Sequence, residues 1–319
     1  MKPPYDINSD ILQLVASISE KIGAINASHL YKPPTELRKK NRIKTIQSSL
    51  EIEGNTLTEE QITSLLDNKR ILAPQKDILE VKNAIEVYQQ LENFNVFEIK
   101  SLLKAHSILM NGLIETPGKL RATTVGIVKG NKVAHIAPPG GMVNGLIKDL
   151  LSYLKTDNDI ALIKSCVFHY EFEFIHPFID GNGRMGRLWQ TLILKDYSPI
   201  FEFLPIESII KERQIEYYGA LSKSDKAGNS TCFIQFMLEV ILLALEQTLA
   251  SQNINLTPTN RIELFKSNAK SDPFTRQDYL RSYKEISPAT ASRDLKEAVD
   301  KGILIKTGDK RTTKYEYKS

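Results

Sequence analysis

Apolar positions near the start of the chain, Ile11, Leu12, Val15, Ile18 and Ile22, fall along one face of a helix. The stretch from Leu37 to Leu50 also reads as a helix, with Gly54 as its natural stop. Thr58 followed by Gln61 has the form of a capping box that opens another helix. Residues 95–250 continue mostly helical, except over 122–137. There Val125, Ile127 and Val128, then Val133 and Ile136, flank Lys129-Gly130-Asn131-Lys132, which reads as a β-hairpin. Pro138-Pro139-Gly140-Gly141 is expected to break the chain before a helix from about Val143 to Leu154. Two further apolar helices, one over Ile160–Phe174 and one carrying Leu188, Trp189, Leu192, Ile193 and Leu194, enclose a polar, glycine-rich loop.

Beyond residue 250 the texture changes. The polar stretch 251–259 reads as a linker, followed by short helices at about 260–269 and 275–283. A third opens at Ser287-Pro288, where Ser287 can cap and Pro288 suits the first helical turn, and runs to about Lys301-Gly302. Strands at Ile303–Lys306 and Thr312–Tyr317 surround Gly308-Asp309. The division expected is therefore 1–94, 95–250, the linker 251–259, and 260–319, in a mainly α protein.

Composition changes little in this picture: 319 residues, 41% hydrophobic and 25% charged, suit two or three globular parts rather than a disordered or fibrous chain. The longest apolar run, Phe233–Leu249, is interrupted by Gln235, Glu239 and Glu246, so a buried or amphipathic helix is expected there, with no membrane partner. The opening Met1-Lys2-Pro3-Pro4-Tyr5 lacks the apolar core of a signal peptide, and a cytoplasmic location is the expectation. Cys166 and Cys232 read as reduced core thiols. The net charge of +4 is unevenly spread. Residues 258–319 hold 14 Lys and Arg against 9 Asp and Glu, while the rest hold 28 against 29, so the tail alone has a balance that permits contact with nucleic acid.

The loop between the two apolar helices, His176-Pro177-Phe178-Ile179-Asp180-Gly181-Asn182-Gly183-Arg184-Met185-Gly186-Arg187, concentrates chemistry. Pro177 disfavours helix at His176, and the glycines allow a tight turn. The following helix then points its first N–H groups and its dipole at the loop, which makes an anion site. Arg184 and Arg187 share one face and can grip phosphate oxygens. Asp180 can hold Mg²⁺, and His176 can accept a proton from an attacking hydroxyl. A base, a metal ligand, an anion hole and guanidinium groups make a set suited to phosphoryl or nucleotidyl transfer.

This segment resembles the Fic family motif position for position, and weaker similarities extend to Gly118-Lys119-Leu120-Arg121, His135-Ile136-Ala137-Pro138-Pro139 and Phe233–Leu238. The resemblance implies a helical Fic core with a β-hairpin flap that transfers AMP from Mg-ATP to a Ser, Thr or Tyr hydroxyl of a target protein. His176 would be the general base, Phe178 would pin the loop, and Asp180 would bind Mg²⁺. Gly181, Asn182 and Gly183 would cradle the phosphates of ATP, with Arg184 and Arg187 on the phosphate chain. The hairpin at 122–137 would dock the target as an added strand. Related kinases carry Lys where this chain has Gly183, which favours adenylyl transfer.

Upstream, Ser49 and Glu53 lie four apart on one helical face, whereas Glu51 points elsewhere. Ser49-Leu50-Glu51-Ile52-Glu53-Gly54-Asn55 resembles the family's inhibitory motif in the subclass where it precedes the core. The resemblance implies an ion pair from Glu53 to Arg187 that obstructs the γ-phosphate. In some members the same glutamate aligns water to remove AMP from the target, and that dual activity stays open. The tail resembles a winged helix fused to Fic proteins, exposing Thr290, Ser292, Arg293 and Lys296 on its third helix and Lys306, Lys310, Arg311 and Lys314 on its wing. DNA and protein remain alternative partners for it, and a DNA-binding regulator with a nucleotide-sensing core is the competing reading of the whole. A homodimer is carried by the resemblance alone.

Overall fold

The structure, a computed structural model, describes residues 2–27, 35–129, 132–252, 258–268, 273–283, 286–309 and 312–318. It forms two compact units, one of residues 1–22 with 39–246 and one of 23–38 with 247–319. Its helices are α1 (Ser9–Ala27), α2 (Thr35–Ile52), α3 (Glu59–Leu66), α4 (Gln75–Gln89), α5 (Ile99–Leu109), α6 (Gly140–Thr156), α7 (Ala161–Ile175) and α8 (Asn182–Tyr197). They continue as α9 (Ile206–Glu212), α10 (Gln214–Ala227), α11 (Thr231–Gln252), α12 (Pro258–Asn268), α13 (Arg276–Ser282) and α14 (Pro288–Asp300). Among the described residues there are also short 3-10 helices at Leu91–Asn93 and Pro199–Phe203 and two antiparallel hairpins, β1 (Gly126–Lys129) with β2 (Lys132–Ile136), and β3 (Leu304–Thr307) with β4 (Lys314–Tyr317).

The first unit is built around α7 and α8. Leu162, Cys166, Val167, Phe168 and Phe172 of α7 are buried, as are Met185, Leu188, Trp189, Leu192 and Leu194 of α8. Trp189 meets Phe168 and Phe94 ring to ring and donates its indole N–H to the Val96 carbonyl at 3.1 Å, so its one polar atom is satisfied. Helix α11 is long and apolar enough to cross a membrane by length and composition. Phe233, Ile234, Met237, Leu238, Val240, Ile241 and Leu245 are nevertheless buried inside the protein, so α11 is a core helix here. Cys166 is buried and Cys232 only half-buried, both as free thiols; burial pushes the Cys166 thiol up to about 12.

Helix α2 packs differently. It buries Ile43, Ile46, Leu50 and Ile52, but also Asn41, Thr45, Ser48 and Ser49. The polar groups are matched: Asn41 donates to the Phe203 carbonyl at 2.8 Å and Ser48 bonds Ser208 at 3.2 Å. Arg42 reaches the Tyr88 carbonyl at 2.6 Å and Glu202 at 2.8 Å. Helix α2 ends where Gly54 turns to φ +93°, as its sequence suggests. The capping box at Thr58 and Gln61 is also present, at the start of α3.

The second unit has its own core of Ile262, Phe265, Phe274, Tyr279, Ala291, Leu295, Ala298 and Leu304. Asp294, nearly fully buried, takes a bidentate pair from Arg261 at 2.6 and 2.9 Å and the Tyr279 hydroxyl at 3.2 Å. Ser287 caps α14 with Pro288 in its first turn. Arg293, Lys296, Lys306 and Lys314 are exposed, whereas Thr290 and Ser292 are half-buried; Lys310 and Arg311 lie outside the described residues.

Two expectations about element bounds need correction. The linker at 251–259 is shorter, because α11 runs through Gln252 and α12 begins at Pro258; 253–257 lie outside the described residues. Helix α6 starts at Gly140 rather than near Val143. The glycine there serves a close approach, since a Cβ at 140 would collide with the Ala122–Thr123 backbone. At the hairpin tip, Gly130 and Asn131 also lie outside the described residues.

Candidate functional site

The loop joining α7 to α8 is strained where it begins. His176 closes α7 in the left-handed conformation, φ 49° and ψ 60°, with its N–H still bonded to the Phe172 carbonyl at 3.0 Å. A non-glycine residue held there needs support from its surroundings. Arg121 supplies it. This buried guanidinium donates to the carbonyls of His176 (2.6 Å), Ile175 (2.9 Å), Thr123 (2.6 Å) and Pro138 (2.8 Å), while its own N–H bonds the Pro177 carbonyl at 2.9 Å. It thereby ties the loop to both ends of the β1–β2 segment.

Deeper in the loop, Phe178 is fully buried and stacks on His106 with centroids 3.6 Å apart. The Gly118 N–H donates to Nδ1 of His106 at 2.8 Å, so Nε2 carries the proton and donates to the Asp180 carbonyl at 3.0 Å. Burial lowers His106 to about 4 and keeps it neutral. Asn182 spends both ends of its side chain on Phe178, accepting from its N–H and donating to its carbonyl, each at 2.9 Å. Its amide therefore locks the loop instead of reaching toward phosphate. Gly181 takes φ +84° at the N-cap of α8, and a Cβ there would strike Met110. Gly181, Asn182 and Gly183 thus sit at the helix N-terminus, where an anion is favoured.

The two arginines of the motif part company. Arg187 is almost wholly buried. Its Nε donates to Ser49 Oγ at 3.0 Å, and its Nη2 donates to the Ser49 carbonyl at 2.9 Å and to Glu53 Oε1 at 2.7 Å. Burial opposes the charge of Arg187, but Glu53, Tyr217 and Glu173 together outweigh it, so the guanidinium is held more firmly protonated than usual. Glu51 pairs with Lys211 at 2.7 Å instead. Arg184, also buried, points elsewhere: Nη1 to Glu80 and Nη2 to Asp180, both at 3.2 Å. Shared helical face notwithstanding, the two guanidiniums serve different carboxylates.

A cavity of about 840 Å³ opens over the loop. Glu53, His176, Asp180, Gly181–Gly183 and Arg187 line one wall, and Glu173, Tyr217, Tyr218 and Asp225 help line the remainder. Arg184 is not among the lining residues; it sits behind the wall. Tyr217 is held by His169, whose Nδ1 bonds Gln190 at 2.7 Å and whose Nε2 takes the Tyr217 hydroxyl at 3.0 Å. Burial lowers His169 to about 3, so it stays neutral. Asp180 suits a hard divalent cation shared with a substrate phosphate: its carboxylate is 54% exposed at the cavity edge, with Oδ1 fixed by the Gly181 N–H at 2.6 Å. Among the described residues no group of three or more His, Cys, Asp or Glu could hold a metal without such substrate oxygens.

His106, Arg121, Glu80 and Glu173 are among the site residues that sequence patterns did not single out. Each stands alone in its local stretch, and only Arg121 fell inside a segment noted for similarity.

Comparison with known proteins places this geometry in context. Residues 96–194 match the model of the Fic/DOC family. A Fic family protein from Desulfovibrio desulfuricans has a crystal structure similar over 100% of this chain and 98% of that one, with 38% identity and a TM-score of 0.77. A probable protein adenylyltransferase of Aquifex aeolicus is 26% identical over 240 residues, covering 68% of this chain and 73% of its own length. The protein adenylyltransferase Fic of Nematostella vectensis is 26% identical over 290 residues, 84% of this chain. The chain spans 62% of that relative and 38% of its counterpart from Caenorhabditis briggsae.

Proposed function

Since the chain belongs to the Fic family, we propose that it is a protein adenylyltransferase, moving AMP from Mg-ATP to a protein hydroxyl and restrained by Glu53. The observation that carries this reading is the Ser49–Glu53–Arg187 cluster on the wall of a cavity that also presents His176 and the N-terminus of α8.

In the reaction the target hydroxyl oxygen bonds the α-phosphorus as the α–β bridge breaks, and pyrophosphate leaves. His176 takes the hydroxyl proton. The Gly181–Gly183 backbone and Arg187 hold the phosphates, with Arg184 fixing Asp180 from behind. A Mg²⁺ on Asp180 would offset phosphate charge. Gly183 stands where related kinases carry Lys, which favours adenylyl over γ-phosphoryl transfer. The β1–β2 hairpin offers main-chain donors and acceptors to an extended target segment.

Glu53 and a γ-phosphate compete for one guanidinium. Releasing the carboxylate therefore raises transfer. In assays with α-labelled ATP and cell lysate, Glu53→Gly is expected to label itself or targets at least about tenfold more than wild type, the worth of one buried charged pair. Glu51→Ala should match wild type, and Arg187→Ala should erase the gain. An inert Glu53→Gly protein would sink this reading and favour the nucleotide-sensing regulator. Exposed Arg293, Lys296, Lys306 and Lys314 support a winged-helix reading of the second unit with DNA as partner. Duplex affinity of the full chain that falls steeply with salt is the expected sign; no binding at low salt would leave protein contacts.

A further inference from the structure

We propose that Glu80 is a positioning residue whose one carboxylate holds both the turn carrying Glu53 and the motif arginine Arg184, an inference that rests on the adenylyltransferase reading. Glu80, on α4, is buried, with about 8% of its side chain exposed. Its Oε1 takes Arg184 Nη1 at 3.2 Å, and Arg184 in turn holds Asp180 with Nη2 at 3.2 Å. Its Oε2 takes the side-chain amide of Asn55 at 2.8 Å. Asn55 follows Glu53 by two residues, and its own N–H closes the end of α2 on the Leu50 carbonyl at 3.1 Å.

Asn55 is pinned from every side. The amide also donates to the Asp77 carbonyl at 3.1 Å, and its oxygen accepts the Leu57 N–H at 3.1 Å. Next to it, Thr56 binds the Asp77 carboxylate through its N–H at 3.0 Å and its hydroxyl at 2.6 Å. The turn at Gly54 is therefore anchored to α4, and that anchoring aims Glu53 at Arg187. One carboxylate serves two arms: the Asn55 arm sets the inhibitory glutamate, and the Arg184 arm sets the cation-binding edge at Asp180. Of the groups meeting Glu80, Lys76 stands 3.9 Å away and is largely exposed, so it contributes little.

The arms separate by mutation. Asn55→Ala loosens the turn but leaves Arg184 paired. It should raise autoadenylylation about fivefold or more, since a buried hydrogen-bonded group loses its partner. Added to Glu53→Gly it should change neither labelling nor the KM for ATP. Glu80→Gln keeps the shape but drops the charge that orients Arg184. In the Glu53→Gly background it should raise the KM for ATP about tenfold, the worth of one charge-assisted hydrogen bond, with kcat within about threefold.

The coupling is overturned if Glu53→Gly is active while Asn55→Ala labels like wild type, or if Glu80→Gln leaves the KM of Glu53→Gly unchanged. Should Glu53→Gly itself be inert, the adenylyltransferase reading fails, and ATP calorimetry still decides the coupling. Asn55→Ala must then raise ATP affinity as Glu53→Gly does; equal affinity with wild type overturns it. Thermal melting screens for misfolding, and if Glu80→Gln does not fold, Asn55→Ala carries the test.

Discussion

Glu53 Oε1, which takes Arg187 Nη2 at 2.7 Å, fills the space beside Gly183: a Cβ at 183 would collide with that oxygen and stand 3.1 Å from Arg187 Nη1. The Glu53–Arg187 pair therefore occupies space that a side chain at 183 would contest.

Gly183→Ala tests that relationship through stability. Alanine in a helix is intrinsically better than glycine by about 1 kcal/mol. In the wild-type background displacing the Glu53 carboxylate from Arg187 should offset that gain, leaving a net cost of about 1 kcal/mol or less. In the Glu53→Gly background only the 3.1 Å approach to Arg187 Nη1 remains tight, and Gly183→Ala should be neutral or stabilising. Denaturant melts of the four proteins give the coupling; equal effects in both backgrounds would mean that Glu53 does not rest on Gly183.

His176→Ala should cut AMP transfer about 10²–10⁴-fold in the Glu53→Gly background. ATP affinity and melting temperature should change little, because the loop is fixed through main-chain carbonyls and Phe178. Undiminished labelling would remove His176 from the proton-transfer role.

Asp180→Ala should weaken ATP binding in the presence of Mg²⁺ by about tenfold and leave binding in EDTA nearly unchanged. Titration calorimetry under both conditions separates the metal role from the structural tie to Arg184. An equal loss in both would assign Asp180 to holding Arg184 alone.

Glu207 links stability to pH. Burial pushes its carboxyl up from the ordinary 4.5 to about 7, against the pull of nearby Arg187, Thr45 and Thr191. Folded protein therefore holds this proton more tightly than unfolded chain. Its contribution is fully present below about pH 4.5 and is lost as pH rises through about 7. Glu207→Gln, neutral at all pH, should flatten that part of the stability profile and melt higher than wild type at pH 8. A profile unchanged by the substitution would show that Glu207 ionises normally.

The sequence alone determined what contiguous chain can determine. The motif loop between two apolar helices, the Gly54 stop, the Thr58 capping box and the Ser287-Pro288 helix start all depend on neighbours a few positions apart, where helical period and turn chemistry act directly. The common face of Ser49 and Glu53 was legible for the same reason. Tertiary structure decided which group each side chain meets. Arg184 and Arg187 look equivalent in sequence, yet one meets Glu80 and the other Ser49 and Glu53, residues 104 to 138 positions away. Asn182 looked free to hold phosphate until Phe178 was seen to occupy both ends of its amide. His106 and Glu80 carry no local signature, because a buried polar residue is chosen by partners that long-range packing brings to it, and no spacing along the chain encodes that meeting.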